Sequence, residues 1–207
     1  MRQVRPQEAR QAMIRVFRKW GLPQRIRLDN GHPFAHTKDR DLPTNLALWL
    51  VALGIELIFN RPYSPQQNGT VECMQRVSAC WATPRSCTSP QELQRRLDKV
   101  SSHHVCLYRS RAHGDRTRSQ RFPQLFANPR KYRPGMEDPK RAQDYLAQFV
   151  LRRKVFSNGR LSVGRYQWTV GRKYRNQQVN VCFDPKSLRW QVFQVDGRCI
   201  SQSHDLD

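Results

Sequence analysis

Two carboxylates stand apart from the rest of this 207-residue chain by where they fall in its pattern. Asp29 ends a short alternating stretch and is followed by the turn dipeptide Asn30-Gly31. Glu72 follows a proline-containing segment, Arg61-Pro62-Tyr63-Ser64-Pro65-Gln66-Gln67-Asn68-Gly69, with 42 residues separating it from Asp29. Two acids held at a strand end and a helix start are candidates for catalytic work. Each also has a plain structural use, since Asp-Asn-Gly makes good turns and a Glu in the first turn of a helix complements the macrodipole. Position alone leaves both open.

Charge narrows the choice of partner. The chain holds 37 Lys plus Arg against 16 Asp plus Glu, a formal net charge of +21, so a polyanion is the natural counterpart. Arginine supplies 29 of the 37 cations, and its planar fork meets phosphate bidentately where lysine offers a point charge. A GC-rich coding sequence would also enrich arginine, although it would not set the net charge. Residues 108–160 are the most basic stretch, with net +10 in 53 positions. Arg152, Arg153 and Lys154 near its end are expected to contact DNA.

The elements that must position these residues follow from periodicity. Ala9, Met13, Val16, Phe17 and Trp20 share one helical face, and Gly21 and Pro23 stop that helix. Residues 25–29 alternate as a strand. Leu42, Leu46, Trp49, Leu50 and Leu53 mark a second helix closed by Gly54, and residues 56–59 read as another strand. Helix, strand, helix, strand in this order implies two parallel strands with helices packed on them. Further helices are expected at about 70–81, with Glu72 in the first turn, and at 91–109.

From Arg109 to Arg141 the pattern loses its period and reads as a linker. Strands are then expected at 166–170, 178–183 and 188–195, with Asp196-Gly197 as a hairpin signal, and a small antiparallel barrel is the economical reading.

The six cysteines form no CxxC pair and show no zinc-type spacing with histidine. Cys73, Cys80 and Cys87 recur every seven residues, and all six are expected to be small buried side chains in a reducing compartment. The longest apolar run is the ten residues from Leu46 to Ile55, too short to span a bilayer. No signal core follows Met1. A cytoplasmic, nucleoid-associated protein with no membrane partner is the expectation.

Taken together, Gly21-Leu22-Pro23, Leu28-Asp29-Asn30-Gly31 with Phe34, Trp49-Leu50, Gly54-Ile55 and the run from Arg61 to Glu72 resemble the integrase core of DDE transposases, relatives of retroviral integrases. Tyr108, Arg111 and His113 look like what is left of that family's Tyr-Asn-x-x-Arg-Pro-His segment, with Arg109 and Ala112 where Asn and Pro would stand. The similarity runs from about Val16 to Tyr132.

The resemblance implies an RNase H-like fold and a DNA substrate in the form of transposon ends or target. It also implies three acidic residues holding two Mg²⁺ or Mn²⁺ ions about 3.5 to 4 Å apart, which stabilise the attacking and leaving oxygens. Asp29 matches the second acidic position and Glu72 the third. Arg76, one turn after Glu72, is expected to reach the DNA backbone, as are Arg61, Asn68, Arg111 and His113.

The first acidic position has no match, because residues 1–28 contain no Asp and only Glu8, in a helical segment. Cys73 and Gln75 also stand where the family has Arg and Asn. The fold expectation is therefore α/β: a partial RNase H-like core at 1–115 without its leading strands, a basic linker at 116–155, and a small SH3-like barrel at 156–207. Two carboxylates hold Mg²⁺ weakly and cannot fix two ions. The expected function is that of a truncated transposase, binding DNA yet inactive alone, with a homo-oligomer or an upstream transposase fragment as possible partners. The alternatives are a non-catalytic basic DNA- or RNA-binding protein, and an active nuclease in which Glu56 or another acid replaces the missing Asp.

Overall fold

A computed structural model describes residues 5–35, 41–61, 66, 69–128 and 130–203. Its contacts gather into two units, one made of Met1–Ile14, Pro23–Phe59 and Arg133–Asp207, the other of Arg15–Leu22 and Asn60–Tyr132. Helix α1, Pro6–Trp20, runs across the division. The protein mixes helix with several small sheets.

In the first unit, strand β1 (Arg25–Leu28) pairs in parallel with β2 (Glu56–Phe59), in the register Arg25↔Glu56 to Leu28↔Phe59. The expected parallel pair is present, and helix α2 (Asn45–Ala52) lies between its strands in the chain. Thr44 caps that helix by accepting from the Ala47 amide at 3.2 Å, so it begins two residues after Pro43. Leu46, Ala47, Trp49, Leu50 and Ala52 are all buried. Gly54 then turns the chain into β2 at φ +71°, a left-handed conformation that favours glycine. The Trp49 indole donates to Glu137 Oε1 at 3.1 Å, and the Arg10 guanidinium lies 4.9 Å from the indole centroid and 3.6 Å from the same oxygen. One indole thus ties α1, α2 and residue 137 together.

After helix α7 (Pro139–Leu146) the C-terminal part of this unit is mostly strand, with one 3-10 turn at Arg172–Tyr174. Strands β5 (Val150–Lys154), β8 (Gln178–Asp184), β9 (Arg189–Phe193) and β10 (Cys199–Gln202) form an antiparallel sheet in the order β10-β9-β8-β5. Strands β6 (Arg160–Val163) and β7 (Tyr166–Thr169) make a separate hairpin.

Among the described residues these strands do not close into a barrel. The sheet and the hairpin instead enclose one apolar cluster that includes Leu151, Leu161, Trp168, Val181 and Val192. Strict alternation of buried and partly exposed residues along β8 and β9 builds it.

The segment expected as a linker, 116–155, is structured. It carries β5, α7 and two four-residue helices, α5 (Arg118–Arg121) and α6 (Pro123–Phe126). Strand β5 hid because its outward residues are Arg152 and Lys154 and its inward ones include Arg153, so charge masked the period.

In the second unit, helix α3 (Gly69–Ala82) packs on α4 (Pro90–Cys106). Ser89 caps α4 by accepting from the Glu92 amide, while the Glu92 carboxylate accepts from Thr88 N at 2.9 Å. Arg96 fastens the preceding turn by donating to Thr83 Oγ1 at 2.6 Å and Ser86 Oγ at 2.8 Å. Helix α4 stops before the expected 109, and Arg109–Ser110 instead forms strand β3, paired with β4 (Arg116–Thr117). Gly21 ends α1 at φ +90°, and the Leu22 amide donates to Arg130 O at 2.7 Å.

The cysteines correct the expectation of burial. Cys73, Cys80, Cys106 and Cys199 are exposed, and Cys87 and Cys182 are half-buried. The seven-residue stack also fails, since α3 ends at Ala82 and Cys87 lies beyond it. Along α3 only Ala82 is buried, so a cysteine on that helix has no core to enter. No helix among the described residues is long and apolar enough to cross a membrane.

The C-terminal cluster sets a direct test. Leu161 is fully buried within it, and Leu161→Ala removes packed methyl groups, which costs about 2 to 5 kcal/mol. Urea unfolding of the full chain should show that loss, whereas a change below about 0.5 kcal/mol, the range of exposed sites, would contradict the packing.

Candidate functional site

Asp29 follows β1 directly, at the strand's carboxyl end. Its Oδ1 accepts from the Gly31 amide at 3.2 Å, closing an Asx turn, and the residue is exposed. The structural use foreseen for Asp-Asn-Gly is therefore realised. Glu72 stands in the first turn of α3 and is exposed, as is Arg76 one turn further along. Among the described residues Glu72 has no hydrogen bond or ion pair. Asp29 belongs to the first unit and Glu72 to the second.

Glu56 is not a replacement ligand. It sits in register with Arg25 and accepts from Arg25 Nε at 2.7 Å. The parallel register puts it four positions from Asp29 along the ladder, a separation of about 13 Å at roughly 3.3 Å per residue. Among the described residues no group of three or more His, Cys, Asp or Glu is placed to hold a metal. Two carboxylates without a third acidic neighbour among the described residues are one ligand short of the set that a pair of divalent ions requires.

The basic candidates divide by environment. Arg61 and Arg76 are exposed, and Asn68 lies outside the described residues. Arg111 is exposed and His113 half-buried in one 3-10 turn, with the His113 ring edge-on to Phe122 at 5.5 Å. Arg152 and Lys154 point outward from β5. Arg153 does not join them. Its guanidinium forks onto Asp41 at 2.8 and 3.1 Å, and this bond holds the Asp41 carboxyl below its usual pKa. The strand alternation that exposes Arg152 turns Arg153 inward.

One cluster escaped sequence reasoning. His104 is buried on α4 beneath Trp81, with the two rings stacked at 4.9 Å and 19°. Arg118 donates to the His104 carbonyl at 3.0 Å, and its Nη1 lies 3.4 Å from Nδ1. The signal was present, since His104 extends the stripe Leu93, Leu97, Val100 by one turn.

No known protein-family model matches the chain.

The His104 cluster predicts a pH dependence. Burial first, then the neighbouring Arg118 and His103, push the imidazole below its ordinary pKa. The unfolded chain takes up that proton near pH 6.5 and the folded chain resists it, so this stability is complete above about pH 6.5 and is lost as pH falls below it. The urea midpoint should therefore drop between about pH 7.5 and 5.5, with a smaller drop in His104→Phe. Identical pH profiles for the two proteins would contradict the assignment.

Proposed function

We propose that this chain is a DNA-binding protein of the DDE transposase and integrase class, carrying part of an RNase H-like core and an SH3-like C-terminal domain. The observation that carries the reading is the sequential placement of its two acids. Asp29 directly follows the first strand of a parallel pair, and Glu72 opens the helix that follows the Arg61–Gly69 segment. The net charge of +21 and the outward Arg152 and Lys154 support DNA as the partner. The antiparallel sheet and hairpin of the C-terminal part support the second half of the reading.

In this reading, arginines neutralise phosphates and position the duplex, while the two carboxylates alone do not support in-line phosphoryl transfer. Mg²⁺ or Mn²⁺ chemistry needs a further acidic ligand from another polypeptide, an upstream transposase fragment or a second copy of the chain. A second reading, a non-catalytic basic DNA- or RNA-binding protein, is favoured by one observation: no metal-holding group exists among the described residues.

The purified chain with Mg²⁺ should bind duplex DNA and neither nick nor join it. Adding a polypeptide with the missing acidic strand should generate cleavage, which Asp29→Asn and Glu72→Gln abolish while leaving affinity within about twofold, because neither acid makes the phosphate contacts. Binding that no such polypeptide converts into cleavage would favour the second reading. Metal-dependent cleavage by the chain alone, lost in both variants, would show that the ligand count is wrong, and failure to bind any nucleic acid would overturn both readings.

A further inference from the structure

Trp81 at the end of α3 and Tyr108 just after α4 are large aromatic residues left open to water, at 43% and 45% exposure. They belong to one ring cluster. The Trp81 and Tyr108 centroids lie 6.5 Å apart, and Tyr108 is 5.3 Å from His104. The His104 ring lies parallel to the indole, and His103 meets it edge-on at 5.2 Å. The base of the cluster is fixed, because His104 is 6% exposed and Arg118 pins its carbonyl. An aromatic held from behind loses little freedom when a second ring stacks on it.

Charge says what that second ring belongs to. Residues 109–121 hold five arginines and one acid, Asp115. Arg109, Arg111 and Arg116 are exposed, and none of the three makes a side-chain hydrogen bond or ion pair among the described residues. Ser110 pairs with Arg116 across the β3–β4 ladder, which begins one residue after Tyr108.

An exposed aromatic pair beside unneutralised guanidinium groups suits a ligand with flat π faces on an anionic backbone. In a duplex the base faces are covered by their neighbours, whereas in a single strand they are free.

We propose that Trp81 and Tyr108 form a stacking platform for unpaired nucleobases, with Arg111 and Arg116 holding the adjacent phosphates, so that this face takes single-stranded nucleic acid. The inference rests on the nucleic-acid reading above and adds which strand form this face selects. Trp81 is far more exposed than the buried Trp49, Trp168 and Trp190, so its fluorescence reports on the platform.

The test measures binding of the full chain to a labelled oligothymidylate of about 16 nucleotides and to a duplex of the same length. Trp81→Ala and Tyr108→Ala should each weaken oligothymidylate binding about tenfold and leave duplex affinity within about twofold. Trp81→Phe, which keeps a stacking ring and the fold, should retain most of the single-strand affinity and lose the fluorescence quenching seen on binding.

Unchanged single-strand affinity in both alanine variants, with the duplex still bound, would overturn the platform and leave the nucleic-acid reading standing. Equal losses for both strand forms would also overturn it, as would a Trp81→Ala chain that loses self-association while binding oligothymidylate normally. If the unaltered chain binds neither strand form, the nucleic-acid reading itself fails.

Discussion

Acid is the scarce component of this protein. With 16 carboxylates against 37 cations, internal pairing can neutralise fewer than half of its positive charges. Among the described ion pairs, Glu137 with Arg10, Glu56 with Arg25 and Asp41 with Arg153 join distant parts of the chain, and Glu92 pairs with Arg96 one turn along α4. Most are at least partly exposed and each contributes little stability. Each pair removes one acid and one cation, so the excess of +21 stays unpaired by carboxylates. The structure is thus held mainly by apolar clusters, with a surface that calls for an anion.

Asp29 and Glu72 stand outside these ion pairs. Asp29 keeps one oxygen in its own turn, and Glu72 opens a helix whose sides are mostly exposed. A two-stranded parallel sheet is unusual in the same way, since parallel strands are commonly covered on both faces. Here Leu57, Ile58 and Phe59 remain only half-buried.

Much of this organisation was legible in the sequence, and the failures have physical causes. The apolar run of α2, the alternation at 25–29 and the Asn30-Gly31 break identify the parallel pair, because each signal is local, whereas the stripe read for α1 is only partly right, since Val16 is exposed and Ile14 is buried. Strands β8 and β9 were legible from their alternation. Strand β5 was not, since Val-Leu-Arg-Arg-Lys places a charged residue on its inward face, and that residue pairs with Asp41, 112 residues away. Barrel closure was beyond reach for the same reason, being a matter of pairing between strands. The cysteines were misjudged because burial depends on what a helix packs against, and α3 buries only Ala82. Asp29 and Glu72 were found by position relative to their elements, which a sequence carries well. Whether such acids gather around a metal is a tertiary property that it does not.

The salt dependence of duplex DNA affinity tests the central claim, that the unpaired cations serve a polyanion. On this account log K falls linearly with log salt, with a slope of about −0.9 for each phosphate neutralised, so several neutralised phosphates give a slope of about −4 or steeper. Replacing Arg152 and Lys154 with serine should make it shallower by about 0.9 for each phosphate no longer neutralised. A slope near zero, or one that those substitutions leave unchanged while affinity persists, would contradict the account.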